Sequence, residues 1–149
     1  MESQRTLCAP QEARELEIQL DQLTSDSAPV LRSRFGVGSD SAAALLIAAG
    51  DNPARLRSDS AFSMLCGSSP LPASSGQTNR HRLNRGGDRQ ANAALHRIVM
   101  TRLRWHGPTK AYMARRLAEG KSKPEVICCL KRYVAREIYA VLALARTGA

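Results

Sequence analysis

A mainly α fold follows from three observations on this 149-residue chain. Apolar residues recur at helical spacing in several separate stretches. Ser, Asp and Gly stand where such helices would start and stop. No alternating apolar-polar run is long enough to specify a strand. A hydrophobic content of 43% supports one modest core. The expected architecture is a helical domain with a helix-hairpin-helix, a loop carrying a Ser-Ser-Gly motif, and a long C-terminal helix. Residues 1–26 read as an N-terminal helix that ends a coiled-coil linker, 27–145 as the main domain, and 146–149 as a tail. Within the domain, 27–50 is the helix-hairpin-helix, 69–88 the Ser/Arg-rich loop, and 89–145 helical.

Taken in order, 11–23 carries Ala13, Leu16, Leu20 and Leu23 at spacings of three, four and three, a heptad-like stripe. A helix of about three turns is too short to stand alone, so this one needs a partner surface. Next, Ser27 is placed to cap a helix with Pro29 in its first turn. Gly36-Val37-Gly38 breaks that helix, and Ser39 is placed to cap a second one running through Ala42, Leu45, Leu46 and Ala49 to Gly50. In a helix-hairpin-helix, the hairpin amides and the positive end of the second helix face a DNA phosphate without reading bases. On that reading Gly36, Val37, Gly38 and Ser39 are contact residues; a plain helical hairpin inside a core is the alternative. Beyond a turn at 51–53, Ser58 and Asp59 start a short helix with Ala61, Phe62 and Leu65.

The segment 69–92 then reads SPLPASSGQTNRHRLNRGGDRQAN. Pro70 and Pro72 fix φ and lack amide donors, so Ser74 and Ser75 are expected at the end of a stiff, extended arm, with Gly76 allowing a sharp turn. Arg80, His81, Arg82, Arg85 and Arg89 follow as a phosphate-binding cluster, among them Gly86 and Gly87. Between 77 and 104 seven arginines face the single acid Asp88, so this stretch supplies +6 of a net charge of +9. Such an excess favours a polyanion, and nucleic acid before a membrane, because no apolar run reaches the ~20 residues that a spanning helix needs. A cytoplasmic, nucleoid-associated location is expected.

Asp88 is placed to cap a helix whose apolar face is Ala91, Ala94, Leu95, Ile98, Val99 and Leu103, with Arg89, Arg97, Arg102 and Arg104 off that face as part of a phosphate-contacting cluster. After Gly107-Pro108 a helix over 109–118 closes at Gly120. Ser122 and Glu125 form a capping box for the last helix, along which Val126, Ile127, Leu130, Val134, Ile138, Val141 and Leu142 recur. Lys121, Lys123, Lys131, Arg132 and Arg136 decorate its outside. Tyr112, Tyr133 and Tyr139 each adjoin an apolar stripe, which suits core or boundary packing better than catalysis. Cys8, Cys66, Cys128 and Cys129 lack metal-ligand spacing and read as reduced, mostly buried thiols. Of the histidines, His81 falls in the arginine run, whereas His96 and His106 read as helix and turn residues.

Two stretches, GVGSDSAAALLIAAGDNPARLRSDSAFSMLCGSSPLPASSGQTNRHRLNRGGDRQANAALHRI and AEGKSKPEVICCLKRYVAREIY, resemble the C-terminal transposase domain of the IS110 family of insertion-sequence transposases (IS116/IS902-like), the bridge-RNA-guided recombinases. The similarity is collinear from about Pro29 to Tyr139. Family members carry an N-terminal RuvC-like domain with a DEDD set of metal-binding acids, then a coiled region, then this domain. In the family the serine before glycine is the proposed nucleophile; its match is Ser75, with Ser74 as the adjacent alternative. Two departures stand out: nothing upstream of the helical stripe provides a RuvC-like domain, and Ser39 stands where the family often has proline.

The resemblance implies DNA transposition by serine attack on a phosphodiester, from a truncated copy inactive without a DEDD domain. No cofactor is expected in this chain, since magnesium belongs with the missing acids. Expected partners are DNA, with a guide RNA and a second transposase copy, identical or full-length, as further candidates, and no membrane. The competing reading is a non-enzymatic basic nucleic-acid-binding module or an inactive remnant.

Overall fold

Ala91, Ala94, Leu95, Ile98 and Val99 repeat at three- and four-residue spacing and are all buried, so the helix they build is the element on which others pack. The computed structural model describes residues 2–50, 58–67, 70–72, 81–83 and 88–147, with side chains within 10–50, 58–67 and 88–144. In chain order these form α1 (Glu2–Ser27), α2 (Pro29–Ser33), α3 (Ser39–Ala49), α4 (Asp59–Leu65), β1 (Pro70–Pro72), β2 (His81–Leu83), α5 (Arg89–Trp105), α6 (Gly107–Ala118) and α7 (Lys123–Thr147). The fold is mainly α. α5 lies against α3, α6 and α7; α7 also covers α4, and α1 runs along α3.

The core where these helices meet includes Leu31, Leu45, Phe62, Leu95, Ile98 and Ile138, each fully buried. Burying a side chain of this size contributes about 1.5–3 kcal/mol, so the assembly rests on the apolar stripes of α3, α5 and α7 rather than on any one contact. Helix starts follow local chemistry. Asp88 Oδ1 accepts from the amides of Gln90 (2.9 Å) and Ala91 (3.0 Å), and Ser58 Oγ accepts from Ala61 N at 3.0 Å. Ser122 and Glu125 form the expected reciprocal box, with Ser122 N donating to Glu125 Oε2 at 2.9 Å.

Two expected caps are corrected. α1 continues through Ser27, so α2 starts after Ala28, which offers no side-chain acceptor. Ser39 is the first helical residue of α3, and the cap position falls on Gly38. A third departure is the two-stranded antiparallel ribbon, in which Pro70, Leu71 and Pro72 pair with Leu83, Arg82 and His81. Three residues are too few to show alternation, and of β1 only Leu71 has an amide to donate, which fits a short, isolated edge pair.

Candidate nucleic-acid interface

Residues 34–38 join α2 to α3 through a tight turn in which Val37 N donates to Arg34 O at 3.1 Å. Val37 is buried and anchors the turn in the core. Gly36 has φ +83°, and a Cβ there would lie 3.2 Å from the carbonyl oxygen of Ile98. Its bare backbone therefore serves close packing on α5. Gly38 differs: φ is −89° and nothing lies within 4 Å of a Cβ built on it. Of the four hairpin residues proposed from sequence, Gly36, Gly38 and Ser39 line the adjoining groove, whereas Val37 is buried.

A shallow groove beside this turn is lined by Glu17, Asp21 and Asp40 together with Arg97. Asp21 is bonded to Arg32, and Asp40 occupies the first turn of α3, where its charge already complements the helix dipole. The amide end of α3 thus opens beside carboxylates, which oppose a phosphate there.

At the far end of α5, Asp88 N donates to Leu65 O at 2.6 Å, tying together the two ends of the Ser/Arg segment. The ribbon pairs Pro72 with His81 and so brackets 73–80. Ser74, Ser75, Arg80 and Arg85 lie outside the described residues; His81 and Arg82 are placed by backbone on β2; Arg89 begins α5 and is exposed. From Arg89 to the stretch of α5 that meets Gly36, residues 98–102, is about 9–13 residues, roughly 14–20 Å at 1.5 Å per residue. The hairpin and the root of the arginine cluster are therefore separate places on the molecule.

Beneath that root lies a buried polar group. The Cys66 thiol is fully buried and its pKa is pushed up to about 12, first by burial and then by the Asp88 carboxylate, with Lys131 pulling the other way. Lys131 itself is only 8% exposed, and burial lowers its pKa against the opposing pull of Cys128 and Cys66. It is not the outer decoration expected from sequence. Arg102 is also corrected: its Nη2 donates to Glu137 Oε2 at 2.6 Å and its Nε to Phe35 O at 2.8 Å. It latches the hairpin turn to α5 and α7 instead of facing solvent.

Among the aromatics, Tyr139 is half-buried with its ring 6.4 Å from Phe62, as a boundary residue should be. Tyr133 is 55% exposed and was missed as a surface feature, because its neighbour Val134 carries the apolar stripe. The described cysteines, Cys66, Cys128 and Cys129, are free thiols. Among the described residues no group of three or more His, Cys, Asp or Glu side chains is placed to hold a metal ion. Nor, among them, is any helix long and apolar enough to cross a membrane.

A helical domain in which a glycine turn joins α2 to α3, ahead of a short ribbon and the helices α5 to α7, is the class this arrangement defines. The family model for Transposase IS116/IS110/IS902 family matches residues 28–114, from the start of α2 into α6, and the chain belongs to that family. It has the role of a transposase domain. No curated protein matches the chain.

Proposed function

We propose that this chain contacts DNA and exchanges strands through Ser75. The observation that carries the reading is the family match over 28–114, which takes in Ser75, the arginines at 80, 82, 85 and 89, and the hairpin. In the step proposed, Ser75 Oγ forms a bond to a DNA phosphorus while the bond from that phosphorus to one deoxyribose oxygen breaks. The leaving oxygen takes a proton and becomes a free hydroxyl, and the phosphoserine link holds the strand until another hydroxyl reverses the attack. A serine hydroxyl is a weak nucleophile at neutral pH, so its proton has to reach a base, for which the acid-bearing domain of the family is the proposed source. The arginine cluster stabilises charge on the phosphoryl oxygens and holds them bidentately.

At the hairpin the proposed contact narrows to the amides around Gly38 and Ser39. Their support is the open space at Gly38; the carboxylates of Glu17 and Asp40 make this the weaker of the two contacts.

The test is to trap a covalent protein-DNA adduct on a denaturing gel, with an acid-bearing domain and guide RNA supplied in trans and a full-length relative as positive control. Adduct lost with Ser75→Ala and kept with Ser74→Ala supports the assignment. Loss only with Ser74→Ala moves the nucleophile by one residue. No adduct from the wild-type chain beside a working control leaves a nucleic-acid-binding module without strand transfer.

A further inference from the structure

α5, α6 and α7 enclose a cleft whose lining includes none of the hairpin residues 36–39. Its floor is apolar, made by Val99, Leu130 and Val134, and its volume is about 170 Å³. That is below the roughly 300–1,000 Å³ of pockets that enclose a drug-sized ligand, and it suits one flat ring entered from the side. Tyr112 and Tyr133 form its mouth, edge to face at 5.7 Å. Tyr133 is 55% exposed, so a large aromatic ring faces water beside an apolar hollow.

Charge decides what fits there. The Arg115 and Arg116 guanidinium carbons lie 5.5 and 5.9 Å from the Tyr112 ring centroid. Glu119 holds Arg116 at 2.7 Å, whereas among the described residues Arg115 has no ion pair and is exposed. Across 107–136 there are eight Lys and Arg against Glu119 and Glu125; Lys110 on α6, Lys121 in the turn after it, and Lys123 and Arg132 on α7 are exposed. An apolar hollow with an aromatic lip and a cationic rim is complementary to a base attached to a phosphate, and an uncharged apolar peptide would leave the rim unused. In a duplex the base faces are already stacked and out of reach.

We infer that this cleft binds single-stranded nucleic acid, an unpaired base stacking on Tyr133 at the cleft mouth while Arg115 holds the adjoining phosphate. The residues this binding needs, Tyr133 and Arg115, are not those of the strand-transfer step, so either assignment can fail while the other stands.

The experiment uses the whole chain and two fluorescent probes, a 12-nucleotide single strand containing 2-aminopurine and a hairpin duplex of the same composition. Stacking on an aromatic side chain is worth about 1–3 kcal/mol per base, so Tyr133→Ala is expected to weaken single-strand binding by roughly 5- to 150-fold. Duplex affinity should stay within about twofold, Tyr133→Trp should restore single-strand binding, and 2-aminopurine emission should be quenched by the wild type and the Trp variant only. Because Tyr133 and Arg115 are exposed, these variants should fold, which circular dichroism checks; Arg115→Ala should weaken the single strand in the same direction. The inference is overturned if Tyr133→Ala binds the single strand as tightly as wild type, if it weakens strand and duplex equally, or if Tyr133→Leu performs as well as Tyr133→Trp.

Discussion

At Cys66 the pH dependence of stability can be worked out in sign. The folded thiol titrates at about 12 against an ordinary 9.0, because burial and then Asp88 disfavour the thiolate. Between those values the folded chain binds a proton that the unfolded chain has lost. Stability from this group is therefore full below pH 9 and falls as pH rises toward 12, by roughly 1.4 kcal/mol per pH unit inside that window. Lys131 acts oppositely: its pKa is lowered from 10.5 by burial, so its penalty is present below the folded value and is relieved as pH climbs toward 10.5. Replacing the thiol separates the two. Cys66→Ala should cost roughly 1 kcal/mol at neutral pH through the missing atom, yet lose less stability than wild type as pH rises above 9 in urea titrations. Parallel losses would mean that Cys66 ionises freely in the folded chain. None of this was legible from sequence, where Lys131 sits in a run of exposed cations; only the packing of α4 on α7 turns it inward.

Among elements, the hairpin shows what spacing can and cannot tell. Gly-Val-Gly between two apolar runs announces a break, and the turn over 34–38 is there; which glycine serves packing and which lies open depends on α5, whose Ile98 is distant from Gly36 in sequence. Gly36→Ala puts a Cβ against Ile98 O at positive φ, a strain of about 1–3 kcal/mol, and should lower the thermal midpoint. Gly38→Val meets no atom within 4 Å and should keep helix content and midpoint close to wild type while weakening duplex binding through the blocked approach to the α3 amides. If Gly38→Val binds duplex normally, the hairpin is only a core turn, and the carboxylates beside it explain why. The caps at Asp88, Ser58 and the Ser122-Glu125 pair were readable, since they act on amides two or three residues away, whereas those expected at Ser27 and Ser39 fell one residue off. The ribbon and the Arg102–Glu137 latch were not, being pairings across distance, and the tyrosine lip of the cleft needs α6 and α7 placed side by side before it exists.

Across the whole molecule the charge is polarised. α1 carries Glu12, Glu15, Glu17, Asp21 and Asp26 against Arg14 within 12–26, and it lies along α3 beside the hairpin. The basic excess belongs instead to the Ser/Arg segment and to α6 and α7, so a polyanion should approach from those faces and turn away from α1. Duplex binding dominated by phosphate contacts falls with salt along a slope of about −0.9 per contact. Changing Arg80, Arg82 and Arg85 together to alanine should flatten the slope of log K against log salt by roughly 2–3 if all three touch phosphates. The same variant should keep its far-ultraviolet spectrum, because the helices depend on apolar stripes outside this segment. A slope that stays at the wild-type value would take the segment out of the interface and leave the cations of α6 and α7 as the surface that holds DNA. A slope that falls while the single-strand affinity of the tyrosine-lipped cleft is retained would instead show two nucleic-acid surfaces on one small domain, one for duplex phosphates and one for an unpaired base.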